Sequence, residues 1–150
     1  MIVTNPIENF DKKFDVVSLF IIVSGKILML KRQSGKPQAG KWGPPAGKVC
    51  EGEKLEDALC RETFEETGIK ITPDKITKFN KTYYVSHGGT DFMFYVFSIN
   101  VDIEPRVVLN PLEHSEYQWF TPKDSLALDL VQDQEVPTTD FFVNNAGKVL

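Results

Sequence analysis

The chain has 150 residues, 41% hydrophobic and 25% charged, which suits one folded domain with a real core and leaves little room for a second. Its formal charge of −4 comes from acidic and basic residues scattered along the sequence, whereas a general nucleic-acid binder would carry a basic stripe, so that class is excluded. Cys50 and Cys60 are too few for a disulfide framework, and His87 and His114 stand too far from them for a zinc set, so two reduced thiols are expected.

The segment from Met1 to Lys13 lacks the basic start and apolar stretch of a secretory signal. The longest apolar run, Val16–Val23, is broken by Ser18 and falls far short of the roughly 20 residues that cross a bilayer. A cytoplasmic location with no membrane partner is the expectation. Val16–Val23 is β-branched and reads as a buried strand, Ser24-Gly25 as a hairpin turn, and Lys26–Lys31 as the returning strand. Gln33–Gly47 is dense in Gly, Pro, Lys and Gln and reads as loop, since Pro44 and Pro45 exclude helix.

Lys54–Thr67 holds no Gly or Pro and many helix formers, with Gly68 placed to cap its C-terminus. Leu55, Ala58 and Leu59 give it an apolar stripe that can pack on a sheet. Strands follow at Lys75–Val85 and Asp91–Val101, joined by a loop over Ser86–Thr90, and a short one at Tyr117–Thr121. Thr121-Pro122 predicts the cap and first residue of a second helix over Lys123–Leu130, and Thr138–Leu150 holds a further short helix. The order β-β-loop-α-β-β-β-α describes a single α/β (α+β mixed) domain, a mixed sheet with helices against it.

Glu62, Glu65 and Glu66 carry the chemistry. At about 100° per residue they lie within roughly 100° of arc on one helix face. Like charges at this spacing repel by a few tenths of a kcal/mol per pair, which calls for a cation or open solvent. The preceding Gly-rich loop lets backbone approach a ligand, and carboxylates on a rigid helix suit Mg²⁺, a hard cation that takes oxygen donors. Such a cation would also let an acidic protein hold a polyphosphate. Arg61 stands about 100° round from Glu62, too far to neutralise that face directly. It reads either as a pin to Glu53 or as an i, i+4 partner of Asp57.

The segment Gly47-Lys48-Val49-Cys50-Glu51-Gly52-Glu53, then seven residues, then Arg61-Glu62-Thr63-Phe64-Glu65-Glu66-Thr67-Gly68-Ile69 resembles the Nudix box, Gx5Ex7REUxEExGU. Thr63 departs from it, standing where the box has a bulky aliphatic residue; the departure touches packing more than ligation. Trp42-Gly43-Pro44-Pro45-Ala46-Gly47 is similar to the family's approach to the box. Leu28–Arg32 is similar to its preceding strand, and Glu116-Tyr117-Gln118-Trp119-Phe120 to its late strand.

The resemblance implies a Nudix fold, a mixed sheet sandwiched between helices, and attack of water at phosphorus. It implies Mg²⁺, with Mn²⁺ as the alternative, held by Glu65, Glu66, Glu62 and the Ala46 carbonyl. Glu62 is ligand or base, Glu53 and Arg61 are the pin, and Glu116 is the candidate for a base outside the box. Arg32 can grip a substrate phosphate with its planar fork. Trp42 reads as a packing residue, and one or two aromatics of the late strands are expected against a nucleobase.

The expected partner is a small-molecule nucleotide, foremost a nucleoside triphosphate, oxidised and other non-standard ones included, cleaved to monophosphate and pyrophosphate. Nucleoside diphosphate sugars such as ADP-ribose are the second substrate class. A non-catalytic nucleotide-binding module is disfavoured by the intact glutamate set. An isoprenoid diphosphate isomerase would want a pocket cysteine, and Cys50 and Cys60 lie in the wrong region. A homodimer is allowed, and nothing in the sequence fixes the oligomeric state.

Overall fold

The apolar run Val16–Val23 is the inner part of a longer strand. In the computed structural model, which describes residues 1–144, a short strand β1 (Ile2–Val3) is followed by β2 (Lys12–Val23). β2 begins earlier than the apolar run, with Lys12 and Lys13 exposed and Phe14 and Asp15 half-buried, because its pairing with a later strand starts at Lys12 opposite Asp91. Ser24 and Gly25 both take positive φ, 49° and 74°, as a two-residue hairpin turn requires. The chain returns as β3 (Lys26–Arg32).

The expected loop Gln33–Gly47 contains two very short strands, β4 (Trp42–Gly43) and β5 (Ala46–Lys48). Their pairing is non-local, β4 on β3 and β5 antiparallel on β2 with Ser18 opposite Ala46, so local composition hides it. Next comes α1 (Leu55–Thr67). Lys54 precedes it without a side-chain cap, while Gly68 closes it in the left-handed region at φ 72°, donating its N–H to the Phe64 carbonyl at 2.8 Å.

β6 (Thr77–His87) and β7 (Thr90–Asn100) form a hairpin turning on Gly88-Gly89 alone, shorter than the expected five-residue loop. β8 (His114–Phe120) pairs antiparallel with β3. The expected helix Lys123–Leu130 shrinks to one turn, α2 (Pro122–Ser125). Beyond it the chain must reach Trp42, whose N–H donates to the Asp129 carbonyl and whose carbonyl accepts from Val131 N–H. The last helix, α3, is Glu135–Phe142; the part of the expected Thr138–Leu150 helix beyond residue 144 lies outside the described residues.

Among the described residues, eight strands form one mixed sheet along the path β1-β6-β7-β2-β3-β4, with β5 on β2 and β8 on β3 off that path. β2 and β7 run parallel from Lys12 opposite Asp91 to Ile22 opposite Asn100. β2 is buried on both faces, which is why its sequence runs on apolar instead of alternating. Leu19 and Ile21 pack with Leu28, Ala58 and Leu59 beneath α1. Phe20 and Ile22 pack with Ile27, Met29, Phe141 and Phe142 beneath α3. Each such side chain contributes about 1.5–3 kcal/mol by leaving water. This double clamp fixes α1 against the sheet and so fixes the direction of its acidic face.

Candidate active site

The carboxylates of α1 border a cleft of about 480 Å³ that also takes in Arg32 from the end of β3 and Ala46–Lys48 of β5. Glu66 turns back to β5, where its Oε1 accepts the Ala46 N–H at 3.0 Å. Burial pushes the Glu66 carboxyl up to about 8; the Ala46 N–H opposes the shift and the nearby Glu62 charge adds to it. Glu62 is also raised, first by burial, with the Arg61 guanidinium opposing. Glu65 is more exposed, with 54% of its side chain open to solvent.

A Cβ on Gly47 would collide with the Glu62 carboxylate. A side chain at that position would have to displace the Glu62 carboxylate from the place where strand and helix meet.

Arg61 holds the segment together more tightly than the sequence predicts. Its Nε donates to Glu53 Oε2 at 2.9 Å and its Nη2 to Glu53 Oε1 at 3.0 Å, a bidentate pair, while Nη2 also reaches the Lys48 carbonyl at 3.2 Å. The second oxygen duty of Glu53 is to accept Cys50 N–H at 3.0 Å, which pins the loop. Hydrogen bonding to Arg61 first, and to Cys50 N–H second, lowers the Glu53 carboxyl to about 2.

The expectation that Arg61 stands clear of the acidic face is corrected. Its Nη1 donates to Glu62 Oε1 at 2.8 Å and reaches Glu65 Oε2 at 3.3 Å. Helical angle describes where Cβ points, and the long guanidinium stem swings across the remaining arc. The Arg61 donors go to these groups and not to Asp57.

Arg32 lines the cleft and donates its Nε to the Pro37 carbonyl at 2.6 Å, which fixes the fork at the strand end. Glu116 does not join this set. It sits on β8 opposite Lys31, half exposed, with the Lys31 ammonium 3.6 Å from its Oε2. The acid brought to the cleft instead is Glu113, beside Asn110, in the loop before β8. Glu113 precedes β8, and its main-chain carbonyl accepts the Gln33 N–H at 2.9 Å just past the end of β3, a long-range contact that local sequence does not reveal. Trp42 is buried and packs edge-to-face on Phe120 at 5.4 Å between ring centres, as a packing residue should.

The groups present fit a divalent cation by donor chemistry: carboxylate oxygens on a rigid helix, one of them buried enough to need compensating charge. Among the described residues no three Asp, Glu, His or Cys groups converge as a ready cage. A Mg²⁺ ion there would draw the rest of its oxygen donors from water and substrate phosphate.

A second cavity of about 180 Å³ shares Arg32, Ala46 and Glu66 with the cleft and continues across the sheet past Phe94 and Phe92 to His87 and Asp133. No helix among the described residues is long and apolar enough to cross a membrane.

This combination of a two-sided mixed sheet and a carboxylate helix pinned by an arginine has known counterparts. The NUDIX domain matches residues 12–141, and the chain belongs to the Nudix hydrolase family. It is 28% identical over 134 residues to the CTP pyrophosphohydrolase of Escherichia coli, spanning 88% of this chain and 93% of that protein. It is 33% identical over 98 residues to the nucleoside triphosphatase NudI of Escherichia fergusonii, spanning 61% of this chain and 69% of that protein. Nudix hydrolase 2 of Arabidopsis thaliana is 29% identical over 122 residues, 80% of this chain and 43% of that longer protein. Among solved structures, the MutT protein from Methanosarcina mazei superposes with a TM-score of 0.74 at 27% identity, covering 90% of this chain and 96% of its own. Nudix hydrolases in general use divalent metal ions.

Proposed function

We propose that this chain hydrolyses a nucleoside triphosphate to the monophosphate and pyrophosphate, with Mg²⁺ as the cation and Mn²⁺ as its substitute. The observation that carries the reading is the continuity of the acidic cleft with the aromatic-walled cavity through Arg32, Ala46 and Glu66. One space suits charged phosphates and the other a nucleoside. The two bacterial relatives named for nucleoside triphosphates, matched over most of their length, support the same substrate class.

Glu65, Glu66 and the Ala46 carbonyl would hold the cation, with Glu62 as a further ligand. A cation there supplies charge neutralisation on the phosphates and a more acidic bound water. Arg32, its fork held by the Pro37 carbonyl, offers its remaining N–H groups to a phosphate oxygen. Water attacks phosphorus, a new P–O bond forms, the bridging P–O bond breaks, and the water's proton passes to a carboxylate. Glu113, in the cleft, takes the base role that the sequence reading gave to Glu116.

The test is a panel of nucleoside triphosphates and nucleoside diphosphate sugars with Mg²⁺, products resolved, and the reaction repeated in ¹⁸O water to find the phosphorus attacked. Glu65→Gln and Glu66→Gln should each remove most turnover. Undiminished hydrolysis in both would sink the ligand assignment, and turnover of sugar nucleotides alone would move the substrate class. Glu113→Gln should lower kcat while Glu116→Gln should not; the reverse would return the base to β8.

A further inference from the structure

The cavity has a direction. Arg32 lies on β3, Phe92 and Phe94 on β7, and His87 on β6, and the sheet order runs β6-β7-β2-β3. Three strand spacings of about 4.8 Å separate the ends, roughly 14 Å. A nucleotide with its phosphates beside Arg32 would thus present the far edge of its base, not its sugar, to the end of the cavity on β6.

That end pairs a carboxylate with two donors and still leaves acceptor oxygens over. Asp133 Oδ2 lies 2.6 Å from His87 Nε2 and 3.6 Å from the N-terminal amine, while its Oδ1 has no partner among the described residues. Gln134, buried at 5% exposure, donates its Nε2 to Thr138 Oγ1 at 3.1 Å. The single Thr138 hydroxyl proton is already given to the Gln134 backbone carbonyl at 2.9 Å, so Oγ1 can only accept from the side chain. This fixes the amide orientation and leaves Gln134 Oε1 as an acceptor. Asp133 itself holds φ 65°, the left-handed region that an L-residue enters at a cost. The Gln132 N–H donates to Gln38 Oε1 at 2.6 Å and steadies the turn from the other wall.

We propose that Asp133 and Gln134 read an exocyclic amino group on the far edge of the nucleobase, so that amino-bearing bases are preferred over their oxo counterparts. The inference rests on the reading that the cavity receives the nucleoside. A carboxylate accepts and never donates. An amino group offers two N–H donors to two acceptors, whereas a carbonyl at the same place would set oxygen against oxygen. Cytosine against uracil, and adenine against hypoxanthine, are the pairs that differ there. Phe92, with the His87 ring edge-on at 5.6 Å between centres, supplies the apolar wall.

The experiment compares kcat/KM for CTP with UTP and for ATP with ITP, in the wild type and in Asp133→Asn. In at least one pair the wild type should favour the amino base by about tenfold or more. Asp133→Asn replaces one acceptor with a donor and should bring that ratio towards unity. A purely structural role for Asp133 would lower both members of a pair together and leave the ratio intact, which overturns the proposal. So do wild-type ratios near unity in both pairs. Calorimetric binding of CMP, UMP, AMP and IMP without metal gives a readout apart from turnover. Preferential binding of CMP or AMP supports the proposal even if no triphosphate is hydrolysed, in which case the hydrolase reading alone falls. Equal binding within both pairs, or no binding of any, overturns it.

Discussion

Gly47 is where the site is least forgiving at the scale of one residue. A methyl group there collides with the Glu62 carboxylate, so Gly47→Ala must push either β5 or the carboxylate aside. Displacement by about 1 Å in such constellations costs on the order of 10²-fold in rate. The expected outcome is a loss of that size in kcat/KM with a near-normal circular dichroism spectrum. Gly43→Ala is the comparison: its Cβ would meet the Val131 side chain, nearest at Cγ2 at 3.1 Å, and no carboxylate, so a rate loss equal to that of Gly47→Ala would refute the local account. Thr63 gives the opposite kind of residue effect. It is wholly buried and its Oγ1 has no hydrogen-bond partner among the described residues. Thr63→Val keeps the shape and removes the stranded hydroxyl, so it should raise stability by about 1 kcal/mol in urea melts. The position at which the sequence departs from the box is thus a buried one.

Among the elements, α1 was the most legible in sequence. The absence of Gly and Pro from Leu55 to Thr67 and the closing Gly68 defined it almost to the residue. The β2–β3 hairpin was legible for the same reason, because its turn chemistry is local. What stayed hidden depends on partners distant in the chain: β4 and β5 within a loop-like composition, and Glu113 instead of Glu116 in the cleft. The reach of Arg61 was hidden differently, since side-chain length overrides helical angle. The loop from Lys48 to Glu53 owes its shape to that one guanidinium. Arg61→Lys, which keeps the charge but loses the fork, should therefore behave nearly like Arg61→Ala. Both should speed proteolysis within this loop and cut activity about tenfold or more; full activity in the lysine variant would show that charge alone suffices. At the opposite face of the sheet, Phe141 packs on Phe20 at 5.2 Å and on Phe79 at 5.0 Å between ring centres. Phe141→Ala should cost about 3–5 kcal/mol of unfolding free energy.

For the whole molecule, stability should depend on pH and on divalent cations together. Glu66 is raised from 4.5 to about 8 in the fold by burial. The folded state therefore binds more protons than the unfolded chain between those values, and stability falls as pH rises through that window. His114 works the other way: burial, then the Arg32 charge, lowers it from 6.5 to about 4, so its contribution falls as pH drops below 6.5. The two oppose each other below pH 6.5, and above it His114 no longer opposes the Glu66 effect. In the presence of a chelator, Tm should decline from about pH 6.5 to 8, and millimolar Mg²⁺ should reverse most of the decline by stabilising the carboxylate. A chelated protein whose Tm stays flat over that range would contradict the burial of Glu66 charge.

The parallel pairing of β2 with β7 has a consequence for how the molecule is made. Everything between Val23 and Thr90, the carboxylate helix included, is the crossover joining these two neighbours. Such a pairing closes a long loop before it gains contacts, which slows folding. A nascent chain ending before Asn100 has already exposed every glutamate of α1 yet lacks the completed strand that fills the middle of the sheet. A half-made chain holds every residue of the carboxylate motif without the finished sheet against which its helix packs.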